Sequence, residues 1–324
     1  MQADRKKWMT LAAFAVVYLV WGSTYFAIRI GLQSLPPLLM AGSRFLVAGT
    51  ILAAWALARG ASLPTRGHWL RAAVAGVLML VFGNGCVTWA EQYVPSGIAA
   101  LLVASEPFWL VLIAWGFFGG PRPGLRTSLG LVTGLLGVGL LVSPEGGDTG
   151  GMMLAGSLAI LFAALTWAIG SLFLRTADLP ASARLSTGMQ MLTGGAILTA
   201  LGLLRGEASG FDPAAVTAPS VLAWLYLVLF GSILAFSAYG YLITATTPAR
   251  LSTYAYVNPV VAVLLGSLVG REPIAPLGWL AMVVIVASVA LVTTGDGGRE
   301  PSSKEREPLV EEREPMMAAL GERA

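Results

Sequence analysis

Few side chains in this chain can do chemistry at depth, because most of its length is apolar. Glu106 sits near the middle of one apolar segment, directly before Pro107. A charged or protonatable group placed at the centre of a bilayer costs at least about 2.5–3.5 kcal/mol, so it faces protein or water rather than lipid. Such a carboxyl can take a proton on one side of a barrier and release it on the other. Pro107 has no N–H and leaves the carbonyl of Val103 without its helical partner. Asn258-Pro259 repeats the device in a second segment and frees the carbonyl of Ala255. Arg44 can hold a carboxylate or other anion, pair with Glu91 or Glu106, or extend toward the surface. Asn84, Thr88 and Glu91 are spaced i, i+4, i+7, which puts them on one helix face, and Gln190 adds a further buried amide. Aromatic rings form the other set. Tyr18, Trp21 and Tyr25 share a face, as do Trp167 with Ser171, Phe236 with Tyr239, and Tyr254 with Asn258. Trp8 and Trp69 fit the role of interfacial anchors.

These residues define an expected substrate cavity of Trp21, Tyr25, Arg44, Asn84, Thr88, Glu91, Glu106, Trp167, Gln190, Tyr239, Tyr254 and Asn258. Pro107 and Pro259 are the expected helix breaks, and Glu106 is the candidate for proton coupling. Plain helix packing is the competing reading for each proline and each aromatic ring. The same inventory speaks against an enzyme. The only histidine, His68, lies in a loop, the lysines Lys6, Lys7 and Lys304 all lie outside the apolar segments, and no Asp lies deep in one. HExxH, cysteine-rich and GxxxxGK[ST] signatures are absent, so no metal, cofactor or direct ATP coupling is expected. The lone Cys86 rules out an intrachain disulfide.

The elements that position these residues follow from composition. The 324 residues are 56% hydrophobic and 11% charged, against roughly 25% charged in a soluble domain; the mean hydropathy is +0.76. Uncharged runs of 21 residues after Lys7, 19 after Arg71, 26 after Asp148 and 20 after Arg184 recur along the chain. About 20 apolar residues suffice for a helix to cross the hydrocarbon. The run of 37 after Asp212 is bracketed by Pro219 and Pro248 and reads as one long helix. The expected fold is an all-α membrane protein of ten transmembrane helices, at about 9–30, 37–58, 70–91, 97–118, 127–143, 152–174, 184–205, 219–245, 251–270 and 275–294.

The chain also repeats itself. A shift of 146 residues sets Trp21 on Trp167, Arg29 on Arg175, Gly42 on Gly188 and Gly49 on Gly195 without a gap. Glu106-Pro107 meets Asn258-Pro259 once a few loop residues are inserted. Each repeat holds five helices, an odd number, so the second copy must enter the membrane from the opposite side. The expected domains are a first repeat at 9–143, an outer connecting loop at 144–151, a second repeat at 152–294 and a disordered cytoplasmic tail at 295–324. Placing the N-terminus in the cytoplasm puts 16 of the 20 Lys and Arg residues on the inner side, which predicts both termini inside. It also makes the pI of 9.2 a topology signal rather than a sign of nucleic-acid binding. A signal peptide has an apolar core of about 7–15 residues; the longer run after Lys7 reads as helix 1. Small-residue faces at Gly130, Gly134 and Gly137 and at Gly188, Gly194 and Gly195 favour packing within one subunit over dimerisation.

Four stretches carry a family resemblance: VWGSTYFAIRIG (20–31), PPLLMAGSRFLVAG (36–49), GNGCVTWAEQYVPSGIAALL (83–102) and TYAYVNPVVAVLLG (253–266). They resemble the drug/metabolite transporter superfamily, most closely its EamA-type ten-helix exporters of the bacterial inner-membrane drug/metabolite exporter group. The resemblance spans about residues 10–294. It implies two EamA repeats, a central cavity lined mainly by helices 1, 3, 4, 6, 8 and 9, and export of small metabolites or drugs. The resulting reading is a secondary transporter in the bacterial cytoplasmic membrane, working outward by alternating access. Its expected partners are a small-molecule substrate (a metabolite, an amino-acid-like compound or a drug) and membrane lipid, with no nucleic acid, as a monomer or homodimer. The alternatives are an uncoupled facilitator or channel and an integral membrane lipid-modifying enzyme.

Overall fold

A computed structural model describes residues 2–118, 122–142, 150–246, 251, 254–271 and 276–295. Residues 144–149 of the predicted connecting loop (144–151) and the predicted tail beyond 295 lie outside the described residues, while Gly150 and Gly151 already belong to the helix that follows. Among the described residues the fold is helical with no strand. Apolar runs that enter lipid must satisfy their backbone internally, and a helix does so within one segment. Among the described residues seven helices are long and apolar enough to cross a membrane. They are α1 (Lys6–Gly31), α2 (Pro37–Ala58), α3 (Arg66–Ala90), α4 (Ser96–Phe117), α6 (Gly150–Thr176), α7 (Ala183–Leu204) and α8 (Ala218–Ile243). α5 (Leu125–Val142), α9 (Tyr254–Leu268) and α10 (Pro276–Gly295) are further apolar helices.

Polar residues set the ends. Thr65 accepts the His68 N–H at 3.2 Å while His68 Nδ1 accepts the Thr65 N–H at 3.3 Å. This capping box starts α3 at Arg66, ahead of the apolar run that composition marks from 70. Thr217 caps α8 through the Ser220 N–H. The carboxylate of Glu207, from the loop after α7, accepts the Leu38 N–H at 3.0 Å and the Leu39 N–H at 2.9 Å at the start of α2. An anion is favoured at a helix N-terminus.

Three helices widen into π-helical stretches: Val17–Trp21 in α1, Val77–Gly85 in α3 and Leu227–Leu234 in α8. α4 is interrupted between Val103 and Glu106, where the Phe108 N–H turns back to the Ser105 carbonyl at 3.0 Å. Pro107 sits in the first turn of the second segment of α4, where its missing N–H costs nothing. Pro259 behaves differently. α9 runs through it unbroken, so only one of the two expected helix breaks occurs. The bond that Pro259 forgoes falls near the start of α9, and its loss leaves the rest of that helix intact.

Glycines let the two repeats meet at backbone distance. α2 crosses α7, and α5 lies along α10, in the two most extensive helix contacts. A Cβ on Gly42 would stand 3.0 Å from the Gly195 carbonyl oxygen, and one on Gly49 would stand 2.8 Å from that of Gly188. The matched glycines therefore pair crosswise, the first of one repeat with the second of the other. Gly134 faces Phe108 and Ser288, and Gly137 faces Ile285 on α10. One apolar core joins α4, α5, α9 and α10 to parts of α1, α3 and α6; another joins α1, α2, α3, α7 and α8. The outward face carries exposed Leu129, Leu136, Leu158, Phe162, Leu229 and Val283, a surface suited to lipid.

Candidate substrate site

The centre of the site is Trp21, at the end of the π-helical stretch of α1 and 8% exposed. Its ring meets four others: Tyr239 at 4.9 Å, Phe236 at 5.2 Å, Trp167 at 5.6 Å and Tyr254 at 5.6 Å between centroids. The contacts with Trp167, Phe236 and Tyr254 are edge-to-face, the arrangement the ring quadrupole favours. Trp21 Nε1 donates to the Gly231 carbonyl at 3.2 Å. Gly231 belongs to the π-helical stretch of α8, where wide turns weaken the regular backbone ladder and leave carbonyls open to outside donors. Tyr239 shares a 3.2 Å hydrogen bond with Ser171. These rings form a partition across the interior.

Cavities lie on both sides of it. One, with a volume of about 70 Å³, is lined from α1 by Trp21, Thr24, Tyr25 and Ile28, from α2 by Arg44 and from α3 by Gly83, Asn84 and Val87. Val103, Ala163, Ala164, Trp167, Gly231, Phe236, Tyr254 and Asn258 complete its wall, so α1, α3, α4, α6, α8 and α9 all contribute. The other, with a volume of about 20 Å³, is lined by Glu106, Leu110, Ser171, Arg175, Tyr239, Ile243, Thr246, Leu251 and Tyr254. Tyr254 lines both. Its hydroxyl donates to Glu106 Oε2 at 3.2 Å, across to the second cavity.

Arg44 is 3% exposed. Its Nη2 donates to Asn84 Oδ1, which also accepts from Thr88 Oγ1 at 3.4 Å. Among the described residues no ion pair within 4.0 Å joins Arg44 to a carboxylate, and of the two acids weighed as its partners Glu91 is the one that acts on its charge. Glu106 opens the second segment of α4, where the helix N-terminus favours its carboxylate.

The structure thus brings Trp21, Tyr25, Arg44, Asn84, Trp167, Tyr254 and Asn258 to the first cavity, and Glu106, Tyr239 and Tyr254 to the second. Three expected lining residues stand elsewhere. Thr88 is fully buried behind Asn84. Glu91 is fully buried at the end of α3, where its carbonyl accepts from Arg29 Nη1 at 2.7 Å. Gln190 donates to Ser186 Oγ at 3.1 Å and packs by the backbone of Gly76. Thr24, Gly83, Gly231 and Arg175 line the cavities without having stood out as site residues in the sequence. A glycine inside an apolar run was the one signal for Gly83 and Gly231. Among the described residues no three His, Cys, Asp or Glu side chains come together as a metal site would require.

Comparison with known proteins agrees with this architecture. An inner membrane transporter of Escherichia coli K12, YedA, itself described as uncharacterized, is 44% identical over 288 residues, covering 87% of this chain and 90% of that protein. The uncharacterized transporter YvbV of Bacillus subtilis is 24% identical over 90% of this chain and 93% of its own. Protein PecM of Dickeya dadantii is 29% identical over 84% of this chain and 88% of its own. A solved protein crystal structure superposes with a TM-score of 0.62 at 22% identity, covering 88% of this chain and 97% of that one, and shares the fold. The relatives named as transporters point to membrane transport rather than catalysis, and to the bacterial inner membrane. The EamA-like transporter family matches twice, at residues 7–143 and 154–294, and the chain belongs to that family.

Proposed function

We propose that the protein is a secondary transporter that exports small organic metabolites or drugs across the cytoplasmic membrane by alternating access. Its ten helices form two inverted five-helix repeats, with both termini in the cytoplasm. One observation carries the reading: two cavities share a wall of aromatic rings, and Tyr254 lines both. A solute can occupy one cavity while the partition closes the other, as alternating access requires. A facilitator with a continuous path has no use for such a wall.

Coupling falls to Glu106. It is the carboxyl that faces the second cavity, together with Arg175, Tyr239 and Tyr254. A proton bound there on one side and released on the other moves opposite to the solute. Metabolite profiling of medium from cells with and without the protein identifies the cargo, and proteoliposome flux of that solute tests the coupling. An acid-outside gradient accelerates export by the wild type. Glu106→Gln abolishes the acceleration and keeps solute exchange. Acceleration at the wild-type rate in a well-folded Glu106→Gln protein ends the proton-carrier reading.

A further inference from the structure

Three residues lining the Arg44 cavity carry a buried polar atom with no hydrogen-bond partner: Arg44 Nε, Trp167 Nε1 and Asn258 Oδ1. Buried polar groups in native proteins are almost always satisfied, and each exception asks for an explanation. Arg44 is the most telling. Its guanidinium lies 4.4 Å over the Phe45 ring and donates to the neutral amide of Asn84, contacts that leave it without an ion pair. A guanidinium buried with no counter-ion in contact is costly, and its field concentrates in a low-dielectric cavity.

The rest of the wall says what else the occupant must be. Trp21, Ile28, Val87, Val103, Ala163 and Phe236 give it a largely apolar lining. The unfilled positions are one charged donor (Arg44), one neutral donor (Trp167 Nε1) and one neutral acceptor (Asn258). We infer that this cavity takes an organic carboxylate, with its anionic group on Arg44, a hydrogen-bond donor turned toward Asn258, and an apolar body along Trp21 and Phe236. Guanidinium and carboxylate make charge-assisted hydrogen bonds that a neutral isostere cannot match. A cation in the same place meets the Arg44 charge and is rejected. The inference rests on this cavity being the transport site and adds its charge selectivity.

The test uses the full chain in lipid nanodiscs at neutral pH with three probes of one shape: benzoate, benzamide and benzylamine. Binding is read by titration calorimetry and by competition between pairs of probes. Benzoate is expected to bind at least about tenfold more tightly than benzamide, with benzylamine weaker than both. Arg44→Gln removes the preference for benzoate, and Arg44→Lys restores part of it. The wild-type series needs no variant to fold. Benzylamine binding as tight as benzoate overturns the inference, as does failure of benzoate to bind, or full-strength benzoate binding in a folded Arg44→Gln protein. Solute counterflow in proteoliposomes separates the two levels. Counterflow without the anion preference leaves the transport reading standing and removes this one, and absence of all counterflow removes both.

Discussion

Trp21 holds the partition together, since four rings pack on it and its indole N–H is tied to the Gly231 carbonyl. Each aromatic pair adds about 0.5–1.5 kcal/mol beyond its area, so Trp21→Ala should open a passage between the cavities and raise solute leak several-fold in proteoliposomes. Unchanged leak from a folded Trp21→Ala protein would show that another group closes the interior. Tyr254→Phe is subtler. It keeps the ring and removes the hydroxyl that donates to Glu106. The variant should fold normally but move more solute per proton, measured as the ratio of the two fluxes; an unchanged ratio would mean that the bond plays no part in closure. Much of this site is legible in the sequence. Trp21 and Trp167 are matched by the repeat, and Arg44 and Glu106 stand out because charge is so scarce inside the apolar runs. The i, i+4 spacing of Asn84 and Thr88 does place them side by side, as their 3.4 Å hydrogen bond shows. Thr88 and Glu91 stay off the cavity wall because both are fully buried, and burial behind a neighbouring side chain is not encoded in helical spacing.

The π-helical stretches are the least legible elements, because nothing in residue type distinguishes them from ordinary helix. Val77 and Leu227, which open two of them, lie 150 residues apart, between the offsets that align the start and the end of the repeat. The widening is thus itself duplicated, in α3 and α8. Helix positions are easier, since length and hydropathy determine them, while the ends depend on caps such as Thr65 and Glu207 that composition does not reveal. The proline pair is half legible. Pro107 comes after an interruption because two residues before it leave the helix, and Pro259 has no such neighbours in α9. The glycine faces are testable directly. A Cβ on Gly195 would stand 2.9 Å from the Leu46 nitrogen and 3.0 Å from the Gly42 oxygen. Gly195→Ala should therefore cost about 1–3 kcal/mol through overpacking and lower the melting temperature. Gly116 in α4 has nothing within 4 Å of that position, and Gly116→Ala should melt as the wild type does. Equal melting of all three proteins would remove the close-contact account of α2 and α7.

The fold as a unit is visible in the sequence through its repeat, yet the direction in which it sits in the membrane comes from charge alone. Ser209, exposed in the loop after α7, should as Ser209→Cys react with an impermeant maleimide added outside intact cells, while Ser62→Cys should not. The opposite pattern would invert the orientation and, with it, the assignment of export. The crosswise glycine contact has a thermodynamic consequence. If the two repeats exchange conformations in the transport cycle, a contact that pairs Gly42 with Gly195 and Gly49 with Gly188 maps onto itself. Its free energy is then common to both end states and drops out of the equilibrium between them. The α2–α7 crossing acts as a fulcrum: weakening it lowers the stability of the whole assembly without tilting the balance toward either side. The balance is left to contacts that the exchange does not preserve, such as Trp21 with Gly231 and Tyr254 with Glu106.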